Sequence, residues 1–150
     1  MPGSAVFGRM VRPGFDLVGE VVGCGDAVTA SEPGDRVAAL LPHSGGGQAE
    51  QVVLRQRRAA RVPAEVATTD AAGLAVAGLT ALQGLFGRAG LGVRPAPRVL
   101  VHGASGGIGS FAVQLAAMAG AQVTGTASAA KHESCVIWAP ATSSTPAPTT

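Results

Sequence analysis

A run of small residues between two apolar segments is the part of the chain best suited to chemistry. It reads GASGGIG, from Gly103 to Gly109. Against the pattern G-x-G-x-x-G/A, the best register places Ala104 at the first glycine and Gly106 and Gly109 at the second and third. Such a turn needs glycines because a side chain would block the approach of a phosphate or the packing of helix on strand.

The segments around this loop have the order that a dinucleotide site requires. RVLVHG is typical of a strand buried in a parallel sheet. A helix is predicted to begin around Gly107 and to end at Gly120, and AQVTGTAS then begins a second strand. The inner face predicted for this helix consists of Ile108, Phe111, Ala112, Leu115 and Ala119. The unit favours nucleotide binding, and a purely structural loop stays open as the alternative in a chain with 22 glycines.

The end of the second predicted strand bears on which nucleotide would bind. An NAD site usually has an Asp or Glu there for the ribose hydroxyls, whereas a 2'-phosphate needs hydroxyls and a cation. TGTASAAKHE has no acid before Glu133 and offers Ser128 and Lys131. The sequence therefore favours NADP(H) over NAD(H), with the alternative that Lys131 is an ordinary surface residue.

Two upstream segments must support this unit. From Asp16 to Leu54, short apolar runs alternate with Pro-Gly and Gly-Gly turns in DLVGEVVG, RVAALL and GGGQAEQVVL, which predicts a small sheet or partial barrel. Beyond Pro63 the spacing becomes helical, and the glycines of GRAGLG are predicted to end the helix. One apolar stripe is predicted on it, formed by Leu74, Ala77, Ala81, Leu82 and Leu85.

Composition and charge argue against several classes of protein. The chain has 150 residues, 47% hydrophobic and 13% charged, as in folded domains. No apolar run reaches the length of about 18 residues that a membrane span needs. The basic cluster Arg55–Arg61 lacks the aromatic residues or the motif of a nucleic-acid site, so we expect a solvated turn. Cys24 and Cys135 do not have the paired spacing of a zinc site, and no metal site is predicted.

The composition changes beyond Cys135. VIWAPATSSTPAPTT is rich in Ser, Thr, Pro and Ala, which predicts a disordered tail over residues 136–150. We interpret the break as the mark of a truncated product, a splice variant or an incorrect reading frame.

The N-terminal residues lack the layout of a secretory signal, so a cytoplasmic location is expected, with a mitochondrial one left open by Arg9 and Arg12.

Several segments in one order resemble the medium-chain dehydrogenase/reductase superfamily, in its quinone oxidoreductase and enoyl reductase branch. They are RPGFDLVGEVV, PGDRVAAL, GGGQAEQVVL, the glycine loop and TGTAS. The resemblance implies an α/β chain with NADPH bound between two parts. A partial GroES-like β domain would cover residues 1–65, and the first half of a Rossmann doubly wound fold would cover residues 66–135.

The loop register and the resemblance together predict the cofactor-binding residues. These are Thr80, Ala104, Ser105, Gly106, Gly107, Ile108, Gly109, Ser128 and Lys131. The resemblance implies that the loop holds the pyrophosphate, that Ser128 and Lys131 hold the 2'-phosphate, and that Thr80 lies near the nicotinamide. A structural alternative for Thr80 is a hydrogen bond to a carbonyl one turn back. Zinc-dependent members have Gly-His-Glu where this chain has Gly14-Phe15-Asp16, which implies a zinc-independent enzyme.

Two hypotheses of function follow. The first is an NADPH-dependent reductase that passes hydride to a quinone or to the activated double bond of an enone, with no catalytic residue identifiable by motif. The second is an inactive fragment of such an enzyme that binds a nucleotide or another chain, because only the first half of the doubly wound sheet is in the sequence. Formation of a homo-oligomer stays open under both.

Overall fold

The computed structural model describes residues 12–93 and 97–131. These residues form two compact units, the first ending at Ala75 and the second beginning at Val76. The boundary expected between residues 65 and 66 stays a prediction. The tail predicted over residues 136–150 lies outside the described residues.

The first unit is built on a three-stranded antiparallel sheet. Its strands, in spatial order, are β1 (Asp16–Glu20), β2 (Arg36–Leu40) and β3 (Ala59–Arg61). The central strand β2 buries Val37 and Ala39, while the residues between and beside them are more exposed. This period of two is typical of a strand with one covered face, because successive side chains point to opposite sides.

The prediction of β structure within GGGQAEQVVL is wrong. Residues 45–54 form no regular strand, and the third strand lies later, at Ala59–Arg61. Gly46 has a φ of 115°, which is outside the extended conformation that a strand requires. The amide of Gly47 donates to the carbonyl oxygen of Gly14 at 2.9 Å, so the glycines hydrogen-bond to a neighbouring loop instead of to a strand.

Arg36, at the start of β2, holds the segment that leads to the first helix. Its guanidinium donates to the carbonyl oxygens of Pro63 and Val66 at 2.6 and 2.7 Å, and to the hydroxyl of Thr68 at 3.3 Å. The planar fork of an arginine suits several acceptors at once. This anchored segment leads directly into α1 (Thr68–Ala72), which packs against β1.

The helical stretch after Pro63 is interrupted by π-helical turns. Its parts are α1, a π-helical turn over Leu74–Gly78, α2 (Leu79–Leu82) and a second π-helical turn over Gln83–Arg88. A π-helical turn contains more residues than an α-helical turn, so it rotates the following residues away from an α-helical stripe. The prediction of one apolar stripe is wrong, since Ala81 is buried whereas Leu74 and Leu82 are 42% exposed. The stretch ends at Arg88, inside the GRAGLG segment, so that Gly87 lies within the helical turn and Gly90 and Gly92 follow it.

The second unit contains a parallel strand-helix-strand arrangement. Its elements are β4 (Arg98–His102), α3 (Gly107–Met118) and β5 (Gln122–Thr126). The two strands pair in parallel, with His102 opposite Thr126. Both strands therefore end at the same edge of the sheet, where the loop to α3 begins. The predicted order of elements and the predicted start of the helix at Gly107 are confirmed.

The rotation of α3 about its axis differs from the prediction. Its buried residues are Gly109, Ala112, Val113 and Ala116, which follow the i, i+3, i+4, i+7 spacing of one helical face. Ile108 lies about 100° from Gly109 around the helix and is 47% exposed, so its predicted place on the inner face is wrong. The physical reason is that Gly109 must face the loop, which sets the rotation of the helix.

Candidate functional site

The loop between β4 and α3 turns at Gly103. This residue has a φ of 72°, a left-handed conformation that side chains other than glycine rarely adopt. Its carbonyl oxygen accepts the amide of Gly106 at 2.9 Å and so closes the turn. The left-handed position is thus one residue before Ala104, the residue that the register placed at the first glycine.

Gly109 allows the start of α3 to lie directly on this turn. A Cβ on Gly109 would clash with the carbonyl oxygen of Gly103 and would lie 2.9 Å from the Cα of Ala104. Ala104 is itself fully buried, and a Cβ on Gly125 of β5 would lie 2.8 Å from its side chain. Ala104 therefore contributes to the site as a packing residue between loop and sheet, and Gly109 has the close-packing role of the third glycine in the dinucleotide pattern.

The start of α3 presents backbone amides with no side-chain cap. Gly106 is the N-cap residue, and among the described residues no side chain bonds to the amides of the first turn. The amide of Ser110 donates to the carbonyl of Gly106 at 2.9 Å, so the amides of Gly107, Ile108 and Gly109 come before the first bond of the helix. Such amides, together with the helix dipole, attract anions. The amides of Gly107, Ile108 and Gly109 therefore suit a phosphate group.

Thr126 and His102 meet beside the loop, at the ends of the two strands. The carbonyl oxygen of Thr126 accepts the amide of Ala104 at 2.8 Å, and its hydroxyl accepts the amide of Gly103 at 3.2 Å. The same hydroxyl lies 2.7 Å from Nδ1 of His102. Sequence reasoning missed this pair, because the strand register that brings the two side chains together is not visible in the sequence.

Ser128 and Lys131 lie just beyond β5, at the edge where the glycine loop also begins. Both are exposed, and the amide of Lys131 donates to the carbonyl of Ser128 at 2.9 Å in a short 3-10 turn. Residues 127–131 include no carboxylate. A hydroxyl and an ammonium group in a segment with no acid from residue 127 to residue 131 suit a phosphate better than ribose hydroxyls.

Thr80 lies in α2 and is exposed. Its hydroxyl donates to the carbonyl oxygen of Val76 at 2.6 Å, which is the structural alternative that the sequence left open. Because the hydrogen is engaged within the helix, the oxygen keeps only its role as an acceptor. The role of Thr80 near a nicotinamide stays a prediction.

Comparison with known proteins shows relatives for both units. Residues 2–64 match the alcohol dehydrogenase GroES-like domain. The chloroplast envelope quinone oxidoreductase homolog of Arabidopsis thaliana is 46% identical over 125 residues, which are 81% of this chain and 38% of that protein. The quinone oxidoreductase of Pseudomonas syringae pv. Tomato DC3000 has a similar structure, with a TM-score of 0.73 and 33% identity over 84% of this chain and 38% of its own. The chain belongs to the medium-chain dehydrogenase/reductase superfamily.

A second solved structure supports the same branch of the superfamily. CurK enoyl reductase matches with a TM-score of 0.74 and 34% identity, over 83% of this chain and 36% of its own. The fold class is confirmed as α/β, with a partial GroES-like β domain followed by the first half of a Rossmann fold. The chain spans between a third and two fifths of the length of these relatives.

The arginine cluster lies on the surface of the first unit. Gln56–Arg58 form a 3-10 turn with exposed arginines, as expected of a solvated turn, and Arg57 and Arg58 border a cleft of about 320 Å³. Arg61 belongs instead to β3 and pairs with Asp35 at 2.6 Å.

Within residues 12–93 and 97–131, no group of three His, Cys, Asp or Glu side chains could hold a metal ion. None of the helices described there could cross a membrane.

Proposed function

We propose that this chain is the part of an NADPH-dependent oxidoreductase that holds the phosphates of the cofactor. The observation that carries the proposal is the uncapped start of α3, on which the loop from Gly103 to Gly109 is tightly folded. The amides of Gly107, Ile108 and Gly109 would donate to the pyrophosphate, with Ser105 and Gly106 lining the turn before them. Gly106 and Gly107 are exposed and bear no side chain that would keep a phosphate away from the backbone.

The preference for NADP(H) over NAD(H) is proposed from the residues beyond β5. Ser128 and Lys131 would donate to the 2'-phosphate, and the absence of an acid from residues 127–131 removes the usual partner of the NAD ribose. The bound nicotinamide would supply the hydride for reduction of a quinone or of the activated double bond of an enone. We propose a zinc-independent reaction, because Phe15 and Asp16 stand where zinc-dependent members have His and Glu. A cytoplasmic location stays a prediction.

Thermal or urea unfolding of the purified chain tests the cofactor proposal. At a hundredfold excess of ligand over the dissociation constant, binding stabilises the folded state by about 2.7 kcal/mol. We expect NADPH to stabilise the chain at lower concentrations than NADH. The double variant Ser128→Ala, Lys131→Gln should reduce this difference, whereas Arg88→Gln, which removes one charge from the end of the helical stretch, should leave it unchanged. Cooperative unfolding that neither nucleotide shifts would refute the proposal.

A second candidate function, a non-catalytic fragment, is favoured by an exposed sheet face. Leu100 lies on the opposite face of β4 from the buried Val101 and is 69% exposed. Parallel sheets are normally covered on both faces, so this face favours association with another chain or copy. Size-exclusion chromatography with an NADPH titration separates the two functions. A monomer that binds NADPH and oxidises it with a quinone or enone supports the enzyme, and aggregation without binding supports the fragment.

A further inference from the structure

We propose that Thr126 is a positioning residue that holds the glycine loop in its phosphate-binding shape, with His102 as its brace. The inference rests on the proposed nucleotide site and adds a residue outside the glycine pattern. Thr126 is the last residue of β5, and it bonds to the loop through two separate oxygen atoms.

The first step of the argument is the pair of amides that Thr126 accepts. Its hydroxyl accepts the amide of Gly103 at 3.2 Å, and its carbonyl accepts the amide of Ala104 at 2.8 Å. These are consecutive amides at the point where the chain leaves β4 and turns to a positive φ. One residue of the neighbouring strand therefore restrains both peptide planes at the start of the loop.

The second step is that Gly103 transmits this restraint to the helix. Its carbonyl oxygen shares a peptide plane with the amide of Ala104, which the carbonyl of Thr126 accepts. The same oxygen accepts the amide of Gly106 and lies against Gly109, so that a rotation of this plane moves the first turn of α3. The amides that would face the pyrophosphate belong to that turn. The hydroxyl of Thr126 holds the preceding peptide plane, at the amide of Gly103, and therefore acts on the start of α3 through the backbone of Gly103.

The third step concerns His102, which keeps the hydroxyl in place. A hydroxyl has one hydrogen and two acceptor positions, so Thr126 can accept the Gly103 amide and still bond to Nδ1 of His102 at 2.7 Å. The two side chains face each other because His102 and Thr126 are paired in the strand register. The second bond opposes rotation of the threonine side chain away from the loop.

Thr126→Val is the direct test, because valine has nearly the same shape and no hydroxyl. Thr124→Val is its matched control, since Thr124 is an exposed residue of the same strand face with no side-chain hydrogen bond in the part of the chain that the structure describes. Loss of a hydrogen bond of about 1 kcal/mol corresponds to a change of about fivefold. We expect Thr126→Val to raise the hydrogen-exchange rate of the Gly103 amide about fivefold without cofactor, and to weaken NADPH binding to a similar extent. Thr124→Val should change neither, and Thr126→Ser should restore both.

The two measurements separate this inference from the proposed function. Faster exchange at Gly103 in Thr126→Val, in a chain that never binds NADPH, supports the positioning role and refutes the proposed function. Unchanged exchange and unchanged NADPH affinity in Thr126→Val overturn the positioning role alone. If Thr126→Val shows no cooperative unfolding transition, His102→Ala decides instead, because it removes only the brace. An unaltered exchange rate at Gly103 in that variant also overturns the proposal.

Discussion

Replacement of Gly109 by alanine tests the packing on which the site depends. The added Cβ would clash with the carbonyl oxygen of Gly103 and would lie 2.9 Å from the Cα of Ala104. Both neighbours are backbone atoms, which cannot rotate away as the end of a long side chain could. The first turn of α3 would therefore have to move away from the loop.

The net effect combines two opposing contributions. Overpacking of this kind costs about 1–3 kcal/mol, and we expect the upper end because the neighbours are backbone atoms. Alanine is better than glycine within a helix by about 1 kcal/mol, which offsets part of that cost. We therefore expect Gly109→Ala to lower the free energy of unfolding by about 2 kcal/mol, the difference of these two estimates.

Urea unfolding followed by circular dichroism measures this change, and Gly107→Ala is the matched control on the same helix. In the part of the chain that the structure describes, a Cβ on Gly107 would meet a single neighbour, the side chain of Ala77 at 3.9 Å, which is an ordinary contact. The control should be neutral or more stable than the unmodified chain by up to about 1 kcal/mol. Equal stability of the two variants would refute the close approach of helix and loop, and with it the account of how α3 is rotated.

Three further predictions concern stability and partners. Arg36→Gln removes a donor to Pro63, Val66 and Thr68 and should lower the free energy of unfolding by about 2 kcal/mol. Arg61→Gln makes the same charge change but breaks a surface ion pair whose arginine is 58% exposed, so a loss below about 1 kcal/mol is expected in the same urea titration. Gly125→Ala should cost about 1–2 kcal/mol, and adding Ala104→Gly should recover part of it, since the two Cβ atoms would lie 2.8 Å apart; independent effects would contradict this contact. Finally, fluorescence anisotropy with a labelled oligonucleotide at low salt should show no binding by the Arg55–Arg61 cluster, and salt-sensitive binding would contradict the solvated turn.

Local patterns in the sequence were sufficient to predict the strand-helix-strand unit and the start of α3. The apolar run before Gly103, the glycines and the helical spacing after them depend on backbone conformation and on periodicity, and both can be read from neighbouring residues. The donor set of Ser128 and Lys131 is also visible in the sequence, and their exposed positions beyond β5 agree with the proposed role.

The features that sequence reasoning missed depend on contacts between distant residues. The π-helical turns changed which of Leu74, Ala81 and Leu82 is buried, and local spacing cannot reveal such a change of helical phase. Residues 45–54 contain apolar residues suited to a strand. The glycines at the start of this segment, however, form backbone hydrogen bonds with the loop at Gly14.

The sequence by itself determined that a glycine turn joins a strand to a helix, because glycine is the residue that allows a left-handed turn and a bare helix start. Only the tertiary structure decided how that turn is held. The register of β4 and β5 places the Thr126 hydroxyl between His102 and Gly103, and the contact of Gly109 with Gly103 sets the rotation of α3. These interactions join residues up to 24 positions apart, and His102 meets Thr126 because β4 and β5 pair in this register.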